Sequence, residues 1–199
     1  MPDAPIKRRN PAETQQKIIA AAQQAFAQQG YARTGLRDIA GLADVSSALP
    51  VRYFGTKAGL FRAALENAVE LDFITAGNKA EFGKLLVEAI LDKQRPITIP
   101  AMITLSIGDQ EAATIAAEFA RTRLIEPMAK WLGAPRARAR ATAILMLSTA
   151  FVIFNRHIIL QDNHPKRSGV SLWLANTAQA IVDGDEVTLK HFLQARTGV

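Results

Sequence analysis

The chain has 199 residues, of which 49% are hydrophobic and 21% charged, an ordinary globular usage that excludes wholesale disorder. It contains no cysteine, so a disulfide framework, a thiolate metal site and a cysteine nucleophile are excluded, and a reducing cytoplasm suits it. Of the net charge of +6, residues up to Arg62 carry +5, with nine Lys and Arg against four Asp and Glu; a basic end on a nearly neutral body is the pattern of a module that meets a polyanion, or of a plain solvated basic surface.

Residues 1–10 carry Lys7, Arg8 and Arg9 and are followed by polar residues, not by an apolar signal core, so the reading is a basic arm without a secretion signal. Periodicity is helical throughout, with no sustained polar/apolar alternation, and the expected fold is all-α. From Pro11 to Gln29 the side chains Ile18, Ala22, Ala25 and Phe26 recur at three- and four-residue steps, and Gly30 stops the helix. Thr34 stands where it would cap a short second helix, with Asp38 near the positive end of its dipole and Leu36, Ile39, Ala40 and Ala43 on one face. Ser46 and Ser47 restart the pattern as cap residues, and a third helix is expected over about 48–53. Phe54 and Gly55 end it. Thr56 caps a fourth helix with the apolar stripe Leu60, Phe61, Ala64, Leu65 and Ala68, running to about residue 75. Further helices are expected at 79–93, 98–107, 109–132, 136–161, 169–183 and 185–196, about nine to ten in all, divided by Pro96, Pro100, Gly108, Gly133 with Pro135, and the turns at 162–165 and 183–185.

Two short helices joined by about four residues, each preceded by hydroxyl residues, form the arrangement that presents a second helix to a major groove. The turn from Ala43 to Ser46 must be short, and Val45 and Leu49 plug the small core beneath it. The stretch from Gly30 to Ala40, then Ala43-Asp44-Val45-Ser46, then Tyr53-Phe54-Gly55-Thr56-Lys57 with Leu60, resembles the N-terminal DNA-binding domain of TetR-family repressors. The resemblance spans about residues 12–65; beyond it the chain matches the family in length and helicity only. It implies a helix-turn-helix DNA-binding domain over 11–57 and a helical ligand-binding and dimerisation domain over 58–199. In that family the residues matching Tyr53 and Lys57 hold phosphates, as does the backbone at the start of the fourth helix, while Ser47, Ala48, Leu49, Val51 and Arg52 occupy the recognition helix. Thr34, Arg37, Ser46 and Thr56 complete the candidate DNA contacts. Arg52 is the favoured base reader, because a guanidinium can bond a guanine edge with two donors at once. Other roles stay open at this point: Tyr53 as a core aromatic, Lys57 as a solvated charge, Leu49 or Val51 as plain packing. Pro50 departs from the family pattern; it is tolerable only in the first turn, so the third helix should begin at Ser47 or later.

The segment 141–160 is apolar on more than one face, through Ile144, Leu145, Leu147, Phe151, Val152, Phe154 and Ile158, and its charge-free run from Ala141 to Asn155 is shorter than the ~20 residues of a spanning helix. Such a helix needs cover on both sides. A two-fold dimer that packs it and the helix near 171–182 against their mates would supply this, as would a fully intramolecular core; the resemblance implies the four-helix interface. Phe82, Leu86, Met102, Leu105, Ile115, Phe119, Trp131, Leu145, Phe151 and Trp173 are candidates for an apolar ligand cavity, or for helical core. His157, His164 and His191 have no metal-binding spacing, and no Ser/His/acid set or phosphate loop is present, so neither a cofactor nor catalysis is expected. The function read from the sequence is a cytoplasmic, ligand-responsive repressor that binds a palindromic operator as a homodimer, with an effector-free architectural DNA binder as the alternative.

Overall fold

The computed structural model describes residues 10–68, 78–92, 94, 96–158 and 169–184. Residues 1–9 of the arm expected over 1–10 and the last helix expected at 185–196 lie outside the described residues, whereas the fourth helix, expected to run to about residue 75, ends at Asn67 with Ala68 as its C-cap. In chain order the helices are α1 (Pro11–Gln29), α2 (Leu36–Leu42), α3 (Leu49–Phe54), α4 (Lys57–Asn67), α5 (Phe82–Leu91), α6 (Ile99–Thr104), α7 (Gln110–Phe119), α8 (Glu126–Leu132), α9 (Ala137–Val152) and α10 (Gly169–Asp183). A 3₁₀ turn, Lys79–Glu81, leads into α5, and the segments Ala120–Ile125 and Ile153–His157 are wound as π-helix. The all-α expectation holds for every regular element among the described residues. The helices form two compact units, one of residues 1–68 with 101–117, the other of 69–100 with 118–199.

In the first unit α1 is the central element. Asn10 caps it by accepting the Ala12 N–H at 3.1 Å, and Pro11 takes the first helical position, where the missing N–H costs nothing. Ile18, Ala22, Ala25 and Phe26 are buried against α2 and α4, whose own buried residues are Ile39, Ala40, Leu60, Phe61, Ala64 and Leu65. Gln23 on α1 donates to the Ala64 carbonyl at 3.0 Å and ties α1 to α4. Gly30 ends α1 with φ 77°, and a Cβ there would press on the Leu105 carbonyl at 3.1 Å, so this stop both needs a positive φ and admits the α6–α7 turn.

Two capping expectations are corrected here. Thr34 does not cap α2: its hydroxyl donates backwards to the Gly30 carbonyl at 2.7 Å, its side chain is buried, and Gly35 is the cap residue. The reciprocal half of the capping box is made by Asp38, which accepts the Gly35 N–H at 3.1 Å. Ser47 does not cap α3 either; the cap position is Ala48, which makes no side-chain bond. Pro50 then falls on the second helical position, where no intrahelical N–H is needed. Thr56 does cap α4, accepting the Gly59 N–H at 3.0 Å.

The second unit is built on a core of Phe82, Leu86, Val87, Ile90, Met128, Leu132, Ala141, Ile144, Phe151, Val152, Leu174, Ala178 and Val182. Gly83 lets α5 meet α10 backbone to backbone, since a Cβ would run into the Ala175 carbonyl oxygen. Gln179 closes the same seam by accepting the Gly83 N–H at 3.0 Å and donating to the Lys79 carbonyl at 2.9 Å. The two π segments have local causes. Pro127 has no N–H to give the carbonyl four residues back, and the turn before it widens so that the Glu126 N–H reaches Arg121. After α9, the Asn155 side chain takes the Phe151 carbonyl at 2.8 Å, and the backbone slips to the wider step in which the Ile158 N–H bonds Ile153. Arg156 donates to the carbonyls of Ile90 and Asp92 at 2.7 and 2.6 Å and closes the C-terminus of α5.

With its π extension, α9 is a 21-residue helix, Ala137–His157, long and apolar enough to cross a membrane by length and composition alone, which corrects the argument from its 15 charge-free residues. Ala141, Ile144, Phe151 and Val152 are buried in the core of the second unit, and a single helix of this kind is weak evidence of a membrane span.

Candidate nucleic-acid interface

The turn from α2 to α3 is held by backbone bonds. The Val45 N–H donates to Ala40 at 3.0 Å, the Asp44 N–H to Gly41 at 3.1 Å, and the Leu49 N–H to Ser46 at 3.0 Å. Asp44 carries φ 51°, the left-handed conformation that reverses the chain within so few residues. On α3 the apolar side is turned inward at Pro50, which is buried, with Leu49 half-buried beside it in sequence. Val51 and Arg52 stand in solvent, Val51 at 50% exposure, and Ser46, Ser47 and Ala48 are exposed as well. Arg37 is exposed on α2.

Gly55, at φ 74°, turns the chain from α3 into α4, and Thr56 and Lys57 open that helix. Tyr53 is half-buried, with its ring 6.3 Å from that of Phe54. The Lys57 ammonium lies 4.2 Å from the centroid of the Tyr31 ring. Tyr31 is buried, stacked at 5.8 Å on Phe26 and edge-on at 5.2 Å to Phe61, and its hydroxyl donates to Glu111 on α7 at 3.2 Å. Burial, reinforced by the Glu111 carboxylate, pushes the Tyr31 hydroxyl up to about 12. Tyr31 entered the sequence reading only as part of the family pattern, and Glu111 not at all. The two are 80 residues apart, and nothing local marks either as the other's partner.

The structure brings Ser46, Ser47, Ala48, Leu49, Val51, Arg52, Tyr53, Thr56 and Lys57 onto one continuous helix–turn–helix segment and leaves Thr34 inside the fold. It does not gather the apolar candidates. Phe82, Leu86 and Phe151 share the core of the second unit, Leu145 is half-buried there, and Phe82 packs on Trp131 with centroids 5.3 Å apart. Phe119 is buried in the second unit, whereas Trp173 is 56% exposed. Met102 and Leu105 belong to the first unit, Met102 buried and Leu105 at its surface. An open groove of about 710 Å³ in the first unit runs between α4 and α7, lined by Gly59, Arg62, Gln110, Glu111, Thr114 and Ile115, and of the apolar candidates Ile115 alone lines it. Among the described residues no group of His, Asp and Glu could hold a metal ion.

Residues 18–64 match the model described as bacterial regulatory proteins, tetR family, and residues 80–164 match the tetracyclin repressor-like C-terminal domain. No curated protein sequence matches the chain. Among solved structures it is similar to a TetR-family regulator from Streptomyces coelicolor A3, at 26% identity over 88% of this chain and 98% of that one, with a TM-score of 0.53. It is also similar to NalD of Pseudomonas aeruginosa, the secondary repressor of the MexAB-OprM multidrug efflux pump, at 20% identity over 85% and 96% of the two chains with a TM-score of 0.60. The multidrug binding protein EbrR, complexed with proflavin, aligns at 20% identity over 84% and 99% with a TM-score of 0.50. The helix-turn-helix of α2 and α3, the capped α4 behind it and the helical second unit thus match the two halves of one architecture, and the chain belongs to the TetR family of DNA-binding transcriptional regulators.

Proposed function

We propose that this regulator is a cytoplasmic repressor that binds a palindromic operator as a homodimer and leaves it when a small, mainly apolar ligand binds. The observation that carries the DNA-binding part is the pairing of exposed Val51 and Arg52 on α3 with Thr56 and Lys57 at the positive end of α4. Arg52 reads a guanine edge, Val51 meets a thymine methyl, and Tyr53, Thr56, Lys57 and the first N–H groups of α4 hold phosphates. Arg37, Ser46, Ser47 and Ala48 complete the contact set, while half-buried Leu49 seats α3 on the domain. Release by ligand is proposed to act through the second unit, where Phe82, Leu86, Phe119 and Phe151 are buried and Leu145 is half-buried. The repressor role of NalD and the proflavin bound to EbrR support this reading. Coupling must be reciprocal: a ligand that weakens operator binding tenfold is itself bound tenfold more weakly in the presence of operator, about 1.4 kcal/mol.

Selection of bound duplexes from a random pool tests the DNA part. The expected product is an inverted repeat whose half-site centres lie about 34 Å apart, one helical turn. Enrichment of no sequence at all would leave an architectural DNA binder as the better account.

A further inference from the structure

We propose that Tyr31 is a positioning residue for DNA binding, its ring serving as the platform that holds the Lys57 ammonium at the mouth of α4. The inference rests on the phosphate role proposed for Lys57 and adds what aims that lysine. A lysine side chain has four rotatable bonds and, free in solvent, must be ordered each time it meets a phosphate. Lys57 is not free: its ammonium sits 4.2 Å from the Tyr31 centroid, close enough for the negative face of the ring to attract it. The ring itself cannot swing away, being buried between Phe26 and Phe61. Its hydroxyl donates to Glu111 at 3.2 Å, which fixes the tilt of the ring and adds electron density to it. A ring face engages one side of an ammonium and leaves its other N–H donors for a phosphate oxygen. Among the described residues Lys57 forms no ion pair, so its charge is not neutralised before DNA arrives.

The experiment measures the salt dependence of affinity for a duplex of arbitrary sequence, where phosphate contacts alone count. Lys57→Ala should flatten the slope of log affinity against log salt by about one unit. Tyr31→Leu should flatten it to a similar degree, Tyr31→Phe should recover most of it, and adding Tyr31→Leu to Lys57→Ala should change nothing further. Because Tyr31→Leu opens an aromatic core, a second series that keeps the ring places phenylalanine, then 3,4,5-trifluorophenylalanine, at position 31. Fluorination keeps the shape of the ring and drains its negative face, so affinity should fall in the native background and stay level in the Lys57→Ala background; a packing role would give no such difference. Equal affinities across the fluorinated series in the native background, with thermal unfolding confirming folded protein, overturn the inference while a flattened slope in Lys57→Ala keeps the phosphate role. A full slope in Lys57→Ala overturns that role, and the positioning inference with it.

Discussion

Asp44 shows how one residue can carry the geometry of a whole motif. Its φ of 51° is costly for any residue with a Cβ, and aspartate is among the few that visit it. Asp44→Gly should therefore stabilise the protein by up to about 1 kcal/mol, whereas Asp44→Val should destabilise it by roughly 1–2 kcal/mol and loosen the seat of α3. Urea unfolding of the two variants checks both signs. Tyr31 gives a second prediction, in pH. Its hydroxyl is neutral in the fold up to about 12, against the ordinary 10, so the contribution is fully present below pH 10 and is lost as pH rises towards 12. Stability should decline over that window, and Tyr31→Phe should remove that part of the decline, as followed by denaturant unfolding across the alkaline range. Arg52→Ala, by contrast, is a change of specificity: it should cost ~1–3 kcal/mol at one base pair of the selected site and little on other sequences. Loss of affinity spread evenly over all sequences would make Arg52 a phosphate contact instead.

Among the elements, the glycines separate what a sequence tells from what only packing tells. Gly41 lies within α2 and Gly83 within α5, two glycines in helices with no local difference in signal. Nothing lies within 4 Å of a Cβ at Gly41, while at Gly83 it would meet the Ala175 carbonyl of α10. Gly41→Ala should thus raise stability by about 0.5–1 kcal/mol through helix propensity, and Gly83→Ala should lower it by about 1–3 kcal/mol through overpacking of the α5–α10 seam. Thermal unfolding of the pair should move in opposite directions; a stabilising Gly83→Ala would mean that the seam gives way easily. The same division holds for the fold as a whole. The spans of α1 and α10 and the Thr56 cap were legible because a three- and four-residue apolar rhythm and cap chemistry act within one turn. Thr34 was misread because a hydroxyl next to a helix start can bond forwards or backwards, and the backward carbonyl of Gly30 won. The π segments were invisible because they follow from a missing N–H at Pro127 and a side-chain competitor at Asn155, neither of which alters the apolar rhythm. At the candidate interface the helix-turn-helix residues could be read in order, but the Tyr31–Glu111 bond joins residues 80 apart and depends on where α7 runs.

At the scale of the molecule the unfinished business is an apolar face in the second unit. Along α9 and its π extension Met146, Ala150 and Phe154 follow at four-residue steps and are all exposed, as is Ile158 just past the end of the extension, and on α10 Val170, Leu172 and Trp173 are exposed too. The opposite sides of the same helices bury Ile144, Phe151, Leu174 and Ala178, so both helices are apolar on two faces with only one of them covered. α9 and α10 pack against each other, and two copies meeting through them would give a four-helix interface in which the face covers itself. A second copy is the occupant proposed, because an inverted-repeat operator requires two recognition helices about one turn of DNA apart. Charging that face is the test: Phe154→Asp combined with Leu172→Asp replaces exposed side chains, leaves the buried core of the protomer untouched and should yield a folded monomer. In sedimentation at micromolar concentration the native chain should run as a dimer and the double variant as a monomer with unchanged helical content. Operator affinity should drop by at least about tenfold, ~1.4 kcal/mol, since each protomer then holds a half-site alone, while the salt slope per bound protomer is retained. A double variant that stays dimeric would move the interface elsewhere, and a monomer that binds operator as tightly as the native chain would remove the dimer from the mechanism of recognition.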